Sequence, residues 1–226
     1  CGGWKSARAR ARWVKLAVAV LLLPLCLGVG DALLRVLRSL GGADTVWIPF
    51  LAGATCWLVI YYLLPRPMWL YVAGHELTHA LWTWLFGGKV RRIRIGSRGG
   101  HVIISKNNFL ITLAPYFFPF YAAVVIAVFG LGHLIWGWNA LLAWFHLFLG
   151  AAYAFHVTLT AHVLQHRQSD ITDQGYLFSA VIIWLGNAGL LLVGLPSLTA
   201  NVSILTVLGW TLEATGRVLT RLAGWI

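Results

Sequence analysis

The stretch Met68–Phe86, MWLYVAGHELTHALWTWLF, is apolar apart from a central group of ionisable side chains. A transmembrane helix needs about 20 predominantly apolar residues, and this stretch has nearly that length. Placing an ionisable residue such as Glu76 at bilayer depth costs at least about 2.5–3.5 kcal/mol on insertion scales. A carboxylate in such a place therefore marks a functional site by default. The stretch predicts a membrane-embedded helix that carries chemistry.

The composition of the whole chain agrees with this prediction. Of its 226 residues, 60% are hydrophobic and only 10% are charged. A soluble domain has about 25% charged residues, so the composition excludes a soluble globular enzyme, and the apolar content excludes disorder. The net charge of +11 comes mostly from basic clusters of the kind that face anionic lipid headgroups. No aromatic-basic recognition motif accompanies them, so we expect the lipid bilayer as a partner and no nucleic acid.

Other apolar stretches flank this helix on both sides. We therefore expect an all-α polytopic membrane protein, a single membrane domain over residues 1–226 with about six transmembrane helices. The predicted helices cover residues 13–30, 47–64, 68–86, 109–131, 139–162 and 176–195. Pro115 and Pro119 interrupt the fourth of these, and proline usually kinks a membrane helix. The final stretch, 203–226, carries charged residues at near-helical spacing and predicts an amphipathic C-terminal helix.

One stretch departs from the helical pattern. After Gly87-Gly88, residues 89–95 end in strict alternation of arginine and isoleucine. Residues 96–100, GSRGG, are a turn signal, and the run 101–105 that follows is rich in β-branched side chains. We expect a short membrane-associated β-hairpin over residues 89–105. Strand structure near a bilayer must be buried in protein or exposed to water, so the hairpin is expected to dock on the helical bundle.

Residues 75–79 form the pattern H-E-x-x-H on the predicted helix. Residues four positions apart share one helical face, so the imidazoles of His75 and His79 can reach one Zn²⁺ ion. Glu76 is offset from that face, so that it contacts a zinc-bound water instead of the metal. It would take a proton from that water, whose pKa zinc lowers to about 7, and later protonate the leaving amine. The pattern predicts a zinc site with Glu76 as the catalytic base.

A catalytic zinc usually has three protein ligands, so a third must come from elsewhere in the chain. The chain has only six acidic residues, and Asp170 and Asp173 lie just before the sixth predicted helix. The order of the predicted spans places that segment on the same side of the membrane as the hairpin. Either aspartate is a candidate third ligand. A rival set, His162, His166 and Asp170, has spacings of four residues, although solvated interfacial histidines are the simpler interpretation.

These residues resemble a known family. Gly74–Leu81, GHELTHAL, followed by Phe86–Val90, FGGKV, and a hairpin, is similar to the M50 site-2-protease family, and most to its small M50B-like branch. Members of this family are intramembrane zinc metalloproteases. The resemblance implies a membrane-associated hairpin after the H-E-x-x-H helix and an aspartate ligand from a later helix.

The resemblance also assigns roles to residues. It implies His75, His79 and one aspartate as zinc ligands, with Glu76 as the base. The branch often carries a Ser-Asp or Thr-Asp pair near the aspartate position, and two pairs match loosely, Ser169-Asp170 and Thr172-Asp173. We favour Asp170, with Asp173 as the alternative, because Asp170 follows the long fifth helix more directly.

The resulting hypothesis is a zinc-dependent intramembrane endopeptidase that cleaves transmembrane segments of membrane-protein substrates with the water that Glu76 activates. We expect a multi-pass integral protein of a bacterial inner (cytoplasmic) membrane. The alternative is a non-catalytic M50-like accessory or assembly subunit of a larger membrane complex, with partner membrane subunits in place of a substrate.

Overall fold

The computed structural model describes residues 2–96 and 99–224, with side chains from residue 10 onward. The predicted turn residues Ser97 and Arg98 lie outside the described residues. The chain divides into two compact units. One is Ala43–His166, and the other combines Cys1–Gly42 with Arg167–Ile226. The single membrane domain over residues 1–226 stays a prediction.

Long helices and one short hairpin make up most of the described chain. The elements are α1 (Gly2–Arg38), α2 (Asp44–Leu63), α3 (Met68–Leu85), β1 (Val90–Gly96), β2 (Gly99–Ile104), α4 (Phe109–Leu113), α5 (Phe120–Trp136), α6 (Leu142–Leu164), α7 (Ser169–Gln174), α8 (Tyr176–Thr199) and α9 (Ile204–Ala223). Short 3₁₀ turns, Ala114–Tyr116 and Asn139–Leu141, follow α4 and precede α6. The segment 203–226, predicted as an amphipathic helix, contains α9, whose first turn is capped by the hydroxyl of Ser203.

Several helices in the described residues are long and apolar enough to cross a membrane. By length and composition they are Arg10–Arg38, Asp44–Leu63, Asn139–Leu164 and Tyr176–Thr199, and the bent pair Phe109–Tyr116 with Phe120–Trp136 adds a fifth if it is one span. The helix α3 is not among them, because the ionisable residues of its motif lower its mean hydropathy. The predicted helical membrane fold with a small hairpin is confirmed, whereas the count of six spans is not.

In the unit Ala43–His166, α2 and α6 approach each other closely through glycine. A Cβ atom on Gly53 would lie 1.8 Å from the carbonyl oxygen of Leu147, and a Cβ atom on Gly150 would lie 1.9 Å from that of Phe50. Helices in membranes associate through small residues because lipid supplies no hydrophobic force between them. The two glycines therefore allow backbone-to-backbone contact on both helices.

We expect a Gly150→Leu substitution to disrupt this packing, because its side chain would have to displace the α2 backbone. The expected loss of stability is about 3 kcal/mol or more, the upper range for overpacking. Thermal unfolding in detergent measures it. Gly130→Leu is the matched control, since a Cβ atom at Gly130, on α5, meets no atom within 4 Å. Equal unfolding temperatures for the two variants would contradict this close packing of α2 and α6.

The helix α3 carries the H-E-x-x-H residues and leads into the hairpin. Gly87, with a φ of +67°, turns the chain after the helix, in a conformation that side chains other than glycine adopt at a cost. The strands β1 and β2 form an antiparallel pair with Ile93 opposite Val102. Both strands contact α3. The predicted hairpin is confirmed, and β2 lies against the helix that carries the motif.

The segment predicted as the fourth helix, residues 109–131, is divided into two helices at its prolines, a sharper break than a kink. The helix α4 ends at Leu113, α5 begins at Phe120, and the two segments are bent by 83°. Pro115 lies in the 3₁₀ turn after α4, and Pro119 directly precedes α5. Since proline has no N–H and its ring clashes with the preceding turn, the two prolines account for the break.

In the other unit, α1 packs against α8 and α9. Four charged side chains join α1 to α9: Asp31, Arg35, Glu213 and Arg217. Asp31 forms ion pairs with Arg35 at 3.1 Å and with Arg217 at 3.0 Å, and Glu213 pairs with the same two arginines. We call these four residues the charge cluster. Because two acids meet two bases, Asp31 and Glu213 are engaged in ion pairing within this unit.

Candidate metal centre

His75 and His79 lie on one face of α3, as their spacing predicts. Their Nε2 atoms are 3.2 Å apart. Their ring centroids are 4.9 Å apart and the rings are nearly perpendicular, at 79°. The ring of His75 also contacts the edge of Tyr116, with centroids 5.4 Å apart. The pair therefore presents two imidazole nitrogens to a common point, within a setting of aromatic rings.

The backbone at α4 holds His79 in one orientation. The Nδ1 atom of His79 lies 2.8 Å from the carbonyl oxygen of Ile111, and because a carbonyl can only accept, Nδ1 is the donor. A neutral imidazole with its proton on Nδ1 has a lone pair on Nε2, which can bind a metal ion. Metal-binding histidines commonly have such a second hydrogen bond, which orients the ring. His79 thus has the tautomer that a ligand needs.

The carbonyl of Ile111 is available because of Pro115. In an α-helix this carbonyl would accept the N–H of the residue four positions later, and proline has none. Asn108 accepts a hydrogen bond from the backbone N–H of Ile111 at 2.8 Å and so caps α4, as expected for an asparagine at a helix start. Sequence analysis missed the partner of His79. A proline four residues after Ile111 is the signal that could have indicated it.

The geometry of the histidine pair fits a zinc ion. Two nitrogen ligands that each lie about 2.0–2.1 Å from a tetrahedral ion are about 3.3–3.4 Å apart. The 3.2 Å between the two Nε2 atoms is close to this distance. Imidazole is also one of the ligands that zinc prefers. Donor type, tautomer and spacing agree, so His75 and His79 could hold a zinc ion without rearrangement.

Glu76 is buried beside the pair, with 7% of its surface exposed. The strand β2 covers it. A Cβ atom on Gly100 would lie 2.7 Å from Cγ of Glu76, so only glycine at this position lets the strand approach so closely. The hairpin thereby shields the carboxylate from solvent and fixes its position relative to α3. A buried carboxylate next to a metal-ligand pair can take and return protons, which is the role of a general base and acid.

The two candidate aspartates lie on the short helix α7. Asp170 is half-buried and Asp173 is exposed. Both aspartates belong to the other compact unit, so the identity of the third ligand stays a prediction.

The remaining histidine candidates of the sequence have other surroundings. The ring of His162 lies beside Arg66, with Nδ1 3.5 Å from Nη1 of the arginine, and its centroid is 5.7 Å from that of His166. The described residues form no potential metal-binding group of three that includes either histidine. The rival set therefore has no support, and an interfacial position for these two histidines agrees with their neighbours.

We expect a Pro115→Ala substitution to weaken metal binding. The new N–H at position 115 would compete with His79 for the carbonyl of Ile111, and the imidazole would lose its fixed orientation. Loss of such an outer hydrogen bond lowers metal affinity about 10–100-fold. Zinc affinity measured by competition with a chelator tests this. Pro119→Ala is the control, because that residue is not four positions from Ile111, and equal affinities for both variants would refute the role of Pro115.

Part of the chain matches a known protein family. No curated protein and no solved structure matches the chain. The family model described as Peptidase M50B-like matches residues 48–158. That region includes α3 with its histidine pair, the hairpin and Ile111, and it ends before α7. This match supports membership of the chain in the M50 peptidase family.

Proposed function

We propose that this protein is a zinc-dependent intramembrane endopeptidase. The observation that carries the proposal is the histidine pair on α3, in which the bond to Ile111 places the proton of a neutral His79 ring on Nδ1 and the lone pair on Nε2. Membership of the M50B-like family and the candidate membrane spans support the same conclusion. Zinc is the ion that the donor set and the spacing favour.

His75, His79 and Asp170 would hold the ion, with Asp173 as the alternative third ligand. Bound zinc would supply Lewis acidity, which polarises a peptide carbonyl and eases the deprotonation of water near neutral pH. This chain would contribute the positions of the two imidazoles and the anionic third ligand. An aspartate would also offset part of the metal charge, which lowers the cost of placing the ion in an apolar environment.

Glu76 would handle the protons. Its carboxylate takes one proton from the attacking water as the water oxygen bonds to the carbonyl carbon of the scissile peptide. When the C–N bond breaks, Glu76 returns that proton to the amine nitrogen, and the products are a carboxyl terminus and an amino terminus. Because β2 covers the Glu76 side chain at Gly100, the carboxylate is held in place for both transfers.

The substrate would be a transmembrane segment of another protein. Cleavage requires an extended backbone, so the segment must unwind locally at the site. A two-stranded sheet leaves backbone N–H and C=O groups at its outer edges, and an extended peptide can pair with such an edge. Since the hairpin contacts α3 beside Glu76, we propose that an unwound substrate pairs with it.

We also propose a setting for this activity. The helix α3 has 18 residues and a length of about 27 Å at 1.5 Å per residue, close to the hydrocarbon thickness of about 30 Å. It would be the sixth membrane-embedded segment, and its ionisable residues would be tolerated because the protein buries them. We propose a bacterial inner membrane as the location.

The test is cleavage of a transmembrane reporter by the purified chain in lipid nanodiscs. A zinc chelator should abolish cleavage, and added zinc should restore it. Asp170→Ala should lower zinc affinity by more than about 100-fold, whereas the matched variant Asp173→Ala should stay within about threefold of the parent. The reverse order would make Asp173 the third ligand. Firmly bound zinc with no cleavage, together with a stoichiometric membrane partner, would instead favour the accessory-subunit alternative.

A further inference from the structure

An open cavity of about 400 Å³ lies where α2 ends and α3 begins, beside the end of α6. Its lining includes Tyr61, Tyr62, Leu64, Arg66, Met68 and His162. All of these residues belong to the unit Ala43–His166, and the proposed reaction uses none of them. The cavity therefore combines aromatic, aliphatic and basic side chains away from the histidine pair.

The cavity adjoins the common end of two candidate membrane spans. The backbone of Phe50 meets Gly150, and Nε1 of Trp57 donates a hydrogen bond to Oγ1 of Thr158 at 2.8 Å. Contacts thus advance in the same chain direction on α2 and α6, so the two helices run parallel and their C-terminal ends lie together. Both helices are long and apolar enough to span a membrane. In a bilayer, their shared end is at the depth of the lipid headgroups.

The guanidinium of Arg66 contacts two neighbours in this cavity. Its central carbon lies 4.7 Å from the centroid of the Tyr61 ring, within the range of a cation–π interaction. Its Nη1 atom lies 3.5 Å from Nδ1 of His162. A guanidinium has five N–H donors, so these contacts leave most of the donors of Arg66 for a ligand.

The positive charge of Arg66 is not neutralised by any described residue. Arg66 is exposed and forms no ion pair within the described part of the chain. The unit Ala43–His166 has two acids, Asp44 and Glu76. Asp44 begins α2, about 28 Å from the other end of that helix at 1.5 Å per residue, and Glu76 is covered by β2. An anion in the cavity would supply a counter-charge.

We propose that this cavity binds the phosphate of an anionic phospholipid, with Arg66 as the residue that contacts the phosphate. The planar fork of a guanidinium matches two oxygens of a phosphate group. The exposed side chains of Tyr62 and Leu64 are an amphipathic ring and an aliphatic group, as is typical of the boundary between headgroups and acyl chains. They favour a lipid over free phosphate, because they can contact its glycerol and acyl groups. The proposal does not depend on the proposed function.

Lipid titration of the purified chain in detergent, followed by native mass spectrometry, tests the proposal. The probe is dioctanoyl-phosphatidylglycerol, and the comparison ligands are dioctanoyl-phosphatidylcholine, which has the same acyl chains but no net charge, and inorganic phosphate. We expect one phosphatidylglycerol per chain, bound at least about tenfold more tightly than phosphatidylcholine. Equal affinity for the two lipids, or displacement of phosphatidylglycerol by an equal concentration of inorganic phosphate, would overturn the assignment of an anionic lipid.

Variants locate the binding. Arg66→Gln should weaken phosphatidylglycerol binding about tenfold or more, because it removes both the charge and the fork. Arg66→Lys keeps the charge without the fork, so its affinity should lie between those of Arg66→Gln and the parent. The matched control is Arg91→Gln, because Arg91 is an exposed arginine of the same unit that forms no ion pair within the described residues and lies outside the cavity lining.

Arg91→Gln should stay within about twofold of the parent, since an exposed charge that does not touch the ligand contributes little. Unfolding temperatures without lipid check that each variant is folded, and phosphatidylglycerol should raise that of the parent more than that of Arg66→Gln. Equal loss of affinity in the Arg66 and Arg91 variants would show that binding follows net charge alone and would overturn the site. Unchanged affinity in Arg66→Gln would overturn it as well.

Discussion

A Glu76→Gln variant should lose kcat by at least about 100-fold while it keeps its zinc. The amide has nearly the size of the carboxylate, so the packing of β2 against position 76 survives. It has no lone pair basic enough to take a proton from water near neutral pH, so the step that generates the nucleophile fails. The measurement is the rate of reporter cleavage in nanodiscs, with zinc content determined on the same preparation.

The control for this variant is Asp44→Asn. Asp44 is an exposed acid in the first turn of α2, in the same compact unit, and its neutralisation should leave cleavage unchanged. Undiminished cleavage by Glu76→Gln would reject Glu76 as the base. Loss of zinc together with activity would show that Glu76 acts on the metal site instead of on the protons.

Removal of His79 should have the largest effect on metal binding. We expect His79→Ala to lower zinc affinity by more than about 100-fold, because the loss of a direct ligand exceeds the 10–100-fold cost of disturbing an outer-shell partner. His79 is a proposed ligand whose ring is oriented by the bond to Ile111. Competition with a chelator of known affinity measures the change.

Two further variants make this result decisive. His79→Gln fills most of the same volume, so it separates loss of a ligand from collapse of the buried site. His162→Ala removes a histidine that lies beside Arg66 and should retain full zinc affinity. If the His79 variants bind zinc as tightly as the parent, the metal centre is not on α3.

The parts of the site that follow from helix geometry could be predicted from sequence. A spacing of four residues places His75 and His79 on one face of any α-helix, and alternation with a glycine-rich turn specifies the hairpin. Both depend on neighbouring residues in the chain. The contact between β2 and Glu76 could not be predicted from the sequence. The need for glycine at position 100 follows only from the docking of the hairpin on α3.

Contacts between distant parts of the chain escaped the sequence analysis. Ile111 is 32 residues from His79, and no local pattern joins an isoleucine to a histidine. The ion pair of Asp31 with Arg217 spans 186 residues, so the sequence presented both as isolated charges. The number of candidate spans in the described residues differs from the predicted six for another reason. The mean hydropathy of α3 includes its ionisable motif residues, so α3 is not among the candidate spans.

Under the proposed function, the contact between α2 and α6 would restrict how a substrate helix enters. At Gly53 and Gly150 the two backbones meet with no space for a side chain, so α2 and α6 pack in direct backbone contact. Separating them would lose the close van der Waals packing through which small residues hold membrane helices together. Under the proposed function, the entry for a substrate helix would therefore lie away from the contact between α2 and α6.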